Sequence, residues 1–528
     1  MRIVTQGVPG QFRRSPLVGL GFFVFIVVAA YQASRFILSG DVSSILLVAL
    51  FFIFAVTVVV MLNDWRNGLY FFLVWLLFED FARKYLGNNM AIYFGKDFLA
   101  AVVYVSFFVA YRRKEVRTFH PPFLIPLLLF VWFGVMQIFN PASSSLLYGV
   151  LGMKVYFYYI PLIFVGYALF ESEMDLRKFF SLTLVLGVVI ISLGIVQSVL
   201  GHTFLNPAKL ADDIRDLSQL YRVSPISGSI AYRPNSVFVS AGRFANFIVL
   251  AWLLAFGFSG YLLLRHRGGR KLAFVSLSAS IAGVALCASR GALIWVTLSA
   301  VVGAVAFLWG SPWRNQAITR ILRTLQRAAL GGCIALVVLM FTYPEALLSR
   351  VAIYTETLSP NSSASELVFR ARDYPLANFL MAFQYDRWPY GFGIGTCSLG
   401  VQYVSRIMQV PPMGVGVENG YGALVVEMGI CGLALWLIMS FAIIFTAWKQ
   451  VRKLKGSPWF PLGFMIFWYA FLLLFPMTYA GLASYQDFVL NAYLWLLLGI
   501  LFRLPSIALS AQLAASAAPV DSQRRWIR

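Results

Sequence analysis

Residues 179–200 read FFSLTLVLGVVIISLGIVQSVL, a run of 22 residues without a single charge. Wound as an α-helix, it is about 33 Å long at 1.5 Å per residue, enough to cross a hydrocarbon core of about 30 Å. Runs of the same character lie near 17–38, 45–62, 67–80, 97–111, 122–139, 150–170 and 243–264. Others follow near 272–288, 292–309, 328–343, 420–447, 458–480 and 486–503, each bounded by charges, Pro or Gly. Fourteen helices of about 20 residues use roughly 280 positions, leaving roughly 250 for loops and tails. Composition agrees: the chain of 528 residues is 60% hydrophobic and 12% charged, about half the charge of an ordinary globular domain. A soluble fold is excluded. The expected class is an all-α polytopic membrane protein with about fourteen (twelve to fourteen) transmembrane helices and a large outer loop containing short helices. The 67–80 run is short and ends in Glu79-Asp80, so it either spans or re-enters.

The net charge of +21 would suggest nucleic acid in a soluble chain. In a polytopic one it answers first to the positive-inside rule, and no nucleic-acid partner is expected. With the N-terminus inside and fourteen crossings, the clusters Arg112-Arg113-Lys114-Arg117, Arg265-Arg267-Arg270-Lys271, Arg314-Arg320-Arg323-Arg327 and Lys449-Arg452-Lys453-Lys455 all fall on one side. The short outer segments 39–44, 140–149 and 481–486 hold no Lys or Arg, as both termini inside requires. Arg13 and Arg14 ahead of an apolar run, with Ala30 and Ala33 at a cleavage-like spacing, also fit a signal peptide; a retained first helix is the reading adopted.

The organisation that follows has N-terminal membrane helices over 1–201, an outer loop over 202–242, central membrane helices over 243–343, and a large outer loop over 344–418. C-terminal membrane helices over 419–503 and a cytoplasmic tail over 504–528 complete it. The two loops are the places for a soluble site. The second carries an amphipathic helical pattern from Ser365 to Phe383, and up to residue 417 its five Arg balance five Asp plus Glu, so it is no polybasic lipid patch. Internal repeats are not visible, which argues mildly against a transporter built from inverted halves.

Of four cysteines, Cys287, Cys333 and Cys431 lie in expected spans and Cys397 sits alone outside, so no disulfide framework is expected. His120, His202 and His266 are scattered, and no metal site or cofactor is expected. The series Gly391, Gly393, Gly395 lacks dinucleotide-fingerprint spacing and reads as a Gly-rich turn.

Several charges stand out. Arg290, in the Ser289-Arg290-Gly291 step, opens a span at its outer mouth, where free amides, the helix dipole and a guanidinium fork all suit phosphate. The alternative is a snorkelling Arg with Ser289 as helix cap. Arg233 and Arg243 bracket the entry of the 243–264 span, as a diphosphate clamp or as headgroup contacts. Arg370 and Arg372 are two apart and diverge by roughly 200° on a helix, so only one faces a site. Glu418 precedes Asn419 at the foot of the large loop, either as a general base on an acceptor hydroxyl or as a carboxylate favoured by the helix dipole. Glu427 is about 180° around that helix, so the two share no site directly. Lys154, near an outer span end, either snorkels or binds substrate; Asp487, opening the last span, is the other membrane-level charge, either paired or binding substrate.

Three stretches, in this order, resemble the bacterial O-antigen ligase and polymerase superfamily: RPNSVFVSAGRFANF at 233–247, SRGALI at 289–294, and the block from Phe369 to Leu433. That block holds RARDYPLANFLMAFQYDRWPYGFGIGT followed by VENGYGALVVEMGICGL, similar to the family's Arg-helix, Pro-Gly-x-Gly-x-Gly and closing-helix pattern. The resemblance covers roughly residues 150 to 450. It implies a metal-independent glycosyltransferase in the bacterial cytoplasmic (inner) membrane. Its site would lie on the outer face, with Arg233 and Arg290 on the donor diphosphate. Where the ligases present a His before the closing helix, this chain has Glu418, which favours a polymerase of O-antigen, capsule or exopolysaccharide repeats with Glu418 as base. The implied partners are a lipid-linked oligosaccharide donor and acceptor, a chain-length regulator and a flippase. Two other functions compete: a ligase passing glycan to another acceptor, and a flippase for the same lipid-linked sugars. A flippase would need charges facing a central cavity near the midplane.

Overall fold

The computed structural model describes residues 56–86, 90–207, 220–224, 227–265, 269–312, 315–358, 368–409, 417–481 and 483–517, and it is mostly helical (78%). Every apolar run from 67–80 onward falls on a helix. The 17–38 run, most of the 45–62 run, Arg13, Arg14, Ala30, Ala33, His266 and residues 518–528 lie outside the described residues.

In chain order the helices are α1 Trp65–Leu86, α2 Met90–Arg112, α3 Leu124–Ile138, α4 Leu146–Phe157, α5 Leu162–Ala168 and α6 Glu173–Leu200. A hairpin of β1 Tyr221–Val223 and β2 Ile230–Tyr232 precedes α7 Ala241–Arg265, α8 Arg270–Leu286, α9 Arg290–Gly310, α10 Asn315–Thr342 and α11 Pro344–Leu358. A π-turn Phe369–Asp373 leads into α12 Tyr374–Met381, then come α13 Val401–Met408, α14 Gly420–Lys453, α15 Phe460–Leu472 and α16 Phe488–Ala517. Among the described residues, eight helices are long and apolar enough to cross a membrane, nine if the bent pair within α10 and α11 is one span. Among the described residues the protein is thus a multi-pass, helical membrane protein with one small hairpin.

Burial, rather than apolarity, separates the inner helices from the outer ones. In the most apolar stretch, within α6, 39% of the residues are buried, against 94% in that of α7, 78% in that of Phe460–Ala480 and 72% in that of Phe488–Ala511. The body is therefore built around α7, α15 and α16, and the apolar outer faces of α2, α6 and α9 suit lipid. Helices in such a body approach closely through small residues. A Cβ added at Gly166 would fall 2.2 Å from the Leu496 carbonyl oxygen, and one at Gly499 would fall 2.1 Å from that of Ile163, so α5 and α16 meet backbone to backbone.

One expectation is corrected. The 67–80 run does not stop at Glu79-Asp80: α1 continues to Leu86, with Glu79, Asp80, Arg83 and Lys84 all buried. A helix can hold these charges because each meets a partner, as shown below. The 202–242 loop carries the hairpin, its strands paired antiparallel with Arg222 opposite Ala231. Of the expected 365–383 helix, residues 365–367 lie outside the described residues; from Val368 it runs through a π-turn at Phe369–Asp373 and ends in a short 3-10 turn at Ala382–Gln384.

Candidate functional site

The break between α8 and α9 is the hub of the first cluster. Ala288 adopts a left-handed backbone (φ 49°), and Ser289 caps α9 by accepting from the Ala292 amide at 3.3 Å. Arg290 is the first residue of α9 and is 9% exposed. The hairpin docks on this break, with Ala231, Ala288 and Ile353 packed together. Arg222 Nη1 donates to the Ala288 carbonyl at 3.4 Å. Arg350 of α11, only 2% exposed, staples the assembly: its Nε donates to the Leu286 carbonyl and its Nη2 to the Tyr232 carbonyl, both at 2.7 Å. Tyr354, one turn further on, donates to the Val284 carbonyl at 2.9 Å. A segment 118 residues away in sequence thereby fixes the strand that delivers Arg233.

Arg222 and Arg233 share one face of the hairpin. Arg222 pairs with Ala231, and Arg233 lies two residues beyond it, where its amide donates to the Leu220 carbonyl at 2.7 Å. Both line a pocket of about 470 Å³ whose other walls include Ser240, Ala241 and Gly242, the start of α7. Burial lowers the Arg233 pKa from its ordinary value, opposed by Cys287 and Tyr354 beside it; a guanidinium stays protonated at any working pH all the same. Two guanidiniums and the amide-rich start of a helix surround this space, which is the chemistry of an anion site.

The chain between Arg233 and α7 is held from below. Lys84 Nζ donates to the Ser236 carbonyl at 2.7 Å, and Asp80 accepts from the Val239 amide at 3.3 Å. Gln197 of α6 accepts from the amides of Asn235 and Ser236 at 3.0 and 2.6 Å, and the Ser236 hydroxyl donates to the Ile190 carbonyl at 2.7 Å. Ser236 needs such support, because its φ of 51° is unfavourable for a side-chain-bearing residue.

Arg243 belongs to a different arrangement. Its Nη1 lies 2.9 Å from Asp80 and its Nε 3.4 Å from Asp487, and its guanidinium covers the Phe488 ring. Asp80 also pairs with Arg83 at 3.0 Å, Glu79 with Lys96 at 2.9 Å, and Lys154 with Asp97 at 2.7 Å. Asp487 in turn caps α16, accepting from the amides of Val489 and Leu490 at 2.9 and 3.0 Å. Arg243 and Asp487 are thus ion partners of each other, where the sequence offered both as substrate contacts. Lys154 does not snorkel: it sits between Asp97 and the rings of Tyr93 and Phe94. An unpaired ion in this setting would be costly, and mutual pairing removes most of that cost.

Glu418 stands outside α14 and is exposed. The helix cap is the next residue, Asn419, whose side chain accepts from the Gly422 amide at 2.9 Å and donates to the carbonyls of Pro375 and Tyr479. Glu418 itself accepts from the Tyr374 hydroxyl of α12, and its amide donates to Asn378 at 3.2 Å. Arg372 is 72% exposed and paired with its neighbour Asp373 at 2.7 Å; the side chain of Arg370 is outside the described set. The glycine series is a turn, with positive φ at Gly391, Gly393 and Gly395. It is inserted into a break in α14 at Gly429 (φ 69°). Gly393 donates to the Glu427 carbonyl at 2.9 Å, and the buried Glu427 carboxylate accepts from the Cys397 amide and the Ser398 hydroxyl, both at 2.8 Å. Glu427 is thus a holder of this turn, a role its spacing from Glu418 did not suggest.

Arg222 and Arg350 were not singled out by sequence. The signal available was YRV and AYRP flanking a turn, two arginines mirrored about Pro225 to Gly228; nothing local marks Arg350, whose partners are backbone carbonyls. Among the described residues, no group of three or more His, Cys, Asp or Glu is placed to hold a metal ion. Comparison of the chain with protein-family models, with curated proteins and with solved structures returns no match.

Proposed function

We propose that this protein is a glycan polymerase of the bacterial cytoplasmic membrane, similar to the O-antigen polymerases and ligases. It would join undecaprenyl-diphosphate-linked oligosaccharide repeats into O-antigen, capsule or exopolysaccharide. The observation that carries the reading is the pocket lined by Arg222 and Arg233 at the start of α7, beside the Arg290 break, because a lipid diphosphate is an anion delivered at the end of an apolar helical body. In this reading the chain has fourteen spans with both termini in the cytoplasm, and the pocket opens on the outer face.

The chemistry asked of the residues is modest. A hydroxyl of one lipid-linked repeat attacks the anomeric carbon of another, and the C–O bond to the diphosphate breaks. The arginines stabilise the negative charge that builds on the leaving diphosphate, as electrostatic preorganisation requires. Glu418 takes the hydroxyl proton. A single displacement inverts the anomeric centre. No metal is required where guanidiniums neutralise the leaving group, so polymer growth should survive EDTA. The test is reconstitution in liposomes with lipid-linked repeats: a ladder of polymer is expected, and donor consumption without polymer would point to a ligase.

A second reading, a flippase for the same lipid-linked sugars, draws on the buried charges of α1, α2, α4, α7 and α16, since intramembrane ions often mark transport paths. Their mutual pairing favours a structural role. Movement of lipid-linked repeats across liposomes without polymer would reverse that preference.

A further inference from the structure

We propose that the groove between α8 and α10, at the end of α8 opposite the arginine pocket, binds an anionic glycerophospholipid of the phosphatidylglycerol type. The groove has a volume of about 710 Å³ and runs along the outside of the body. Its rim is formed by Arg270 and Lys271 of α8 with Arg323 and Arg327 of α10, all four exposed. Its wall is apolar: Phe274 and Val275 follow one turn after the α8 cations, and Leu330 and Ile334 follow one and two turns after Arg327. Polar and apolar ends therefore coincide on both helices. None of the described residues lining the groove is acidic.

The two helices also touch directly. Ser278 donates to the Ala328 carbonyl at 3.1 Å, and Gly331 lies so close that a Cβ there would fall 3.0 Å from Phe274 and from Ser278. Beyond this contact Val275, Leu330 and Ile334 are 45%, 60% and 55% exposed, an apolar surface beside four cations. A phosphodiester on the rim and an acyl chain along the wall satisfy both halves at once. A zwitterionic headgroup would bring its own cation against these four, and free phosphate would leave the wall uncovered. Each cation near a membrane surface adds about 1 kcal/mol, or about fivefold, to the binding of anionic lipid. The site is independent of the glycan reading, since it lies about 24 Å along α8 from the Leu286 end.

The test uses the full chain in nanodiscs of phosphatidylcholine containing a photoactivatable phosphatidylglycerol. Labelling is expected on peptides 270–275 and 323–334, unaffected by excess inorganic phosphate. Arg323→Gln/Arg327→Gln should lower that labelling by more than tenfold, about fivefold per cation, while Arg323→Lys/Arg327→Lys retains most of it. Equal labelling in the Gln variant, or equal labelling by photoactivatable phosphatidylcholine, would overturn the proposal. So would competition by phosphate alone. If the Gln variant fails to fold, the peptide map of the unaltered protein decides: labelling confined to other helices refutes the site.

Discussion

Arg233 and Arg243 are ten residues apart, and Glu418 and Asp487 both precede helices, yet the structure sorts these four into opposite kinds. Arg243 and Asp487 face each other inside the helical body, with Asp80 completing the set. Arg233 lines a pocket and Glu418 is exposed, touched by Tyr374. The first pair is closed on itself and braces helices; the second lies at a pocket and at the surface, where the proposed function places the substrate. A charge next to a membrane span is therefore not evidence of function until its partner is known. Partners are set by tertiary contacts that neighbouring sequence does not encode.

The comparison can be broken from the open side first. Glu418→Gln should lower polymer turnover by about 10²- to 10⁴-fold, the usual worth of a positioned general base, with donor binding unchanged. Initial rates at matched protein abundance would measure it. A near-normal rate would move Glu418 into the structural class. Arg243→Ala should act the other way, costing about 3 to 5 kcal/mol of stability because it leaves Asp487 without its cation and Asp80 with Arg83 alone. Thermal inactivation in detergent would measure the loss. An Arg243→Ala protein that is stable but does not bind donor would place Arg243 with the open pair.

A smaller effect tests the brace beneath the pocket. Lys84→Met removes the donor to the Ser236 carbonyl and leaves that buried oxygen short of a partner, costing about 1 to 3 kcal/mol. The expected kinetic signature is a raised KM for the donor with a smaller change in kcat, since Lys84 positions Arg233 and touches no substrate. An unchanged KM would mean that the 235–239 segment holds its shape without α1.

The helices were legible in the sequence because crossing a membrane demands long charge-free runs, and few other constraints produce FFSLTLVLGVVIISLGIVQSVL. The Gly391 to Gly395 turn was legible for a similar reason, since only glycine adopts positive φ so readily. The length of α1 was not, because Glu79, Asp80, Arg83 and Lys84 read as an end when they are in fact an ionic seam inside a helix. The hairpin was hidden too: three-residue strands carry almost no periodicity, and theirs is held by Arg350 from α11. Half of the candidate pocket followed from Arg233 alone. The other half, Arg222, depended on a strand register for which the mirrored YRV and AYRP are the one local signal.

The central claim is that the open pocket holds a diphosphate, and the most direct test is binding of a soluble short-chain prenyl diphosphate to the purified protein by calorimetry. The unaltered protein should bind it and ignore the corresponding prenyl alcohol. Arg222→Gln/Arg233→Gln should weaken binding by at least about 10²-fold, given two charge-assisted donors worth about 1.5 kcal/mol or more each. The variant should stay folded, with the modest loss of stability that removing the Arg222 bond to the Ala288 carbonyl entails. A double variant that is folded and binds the diphosphate as tightly as the original would contradict the account.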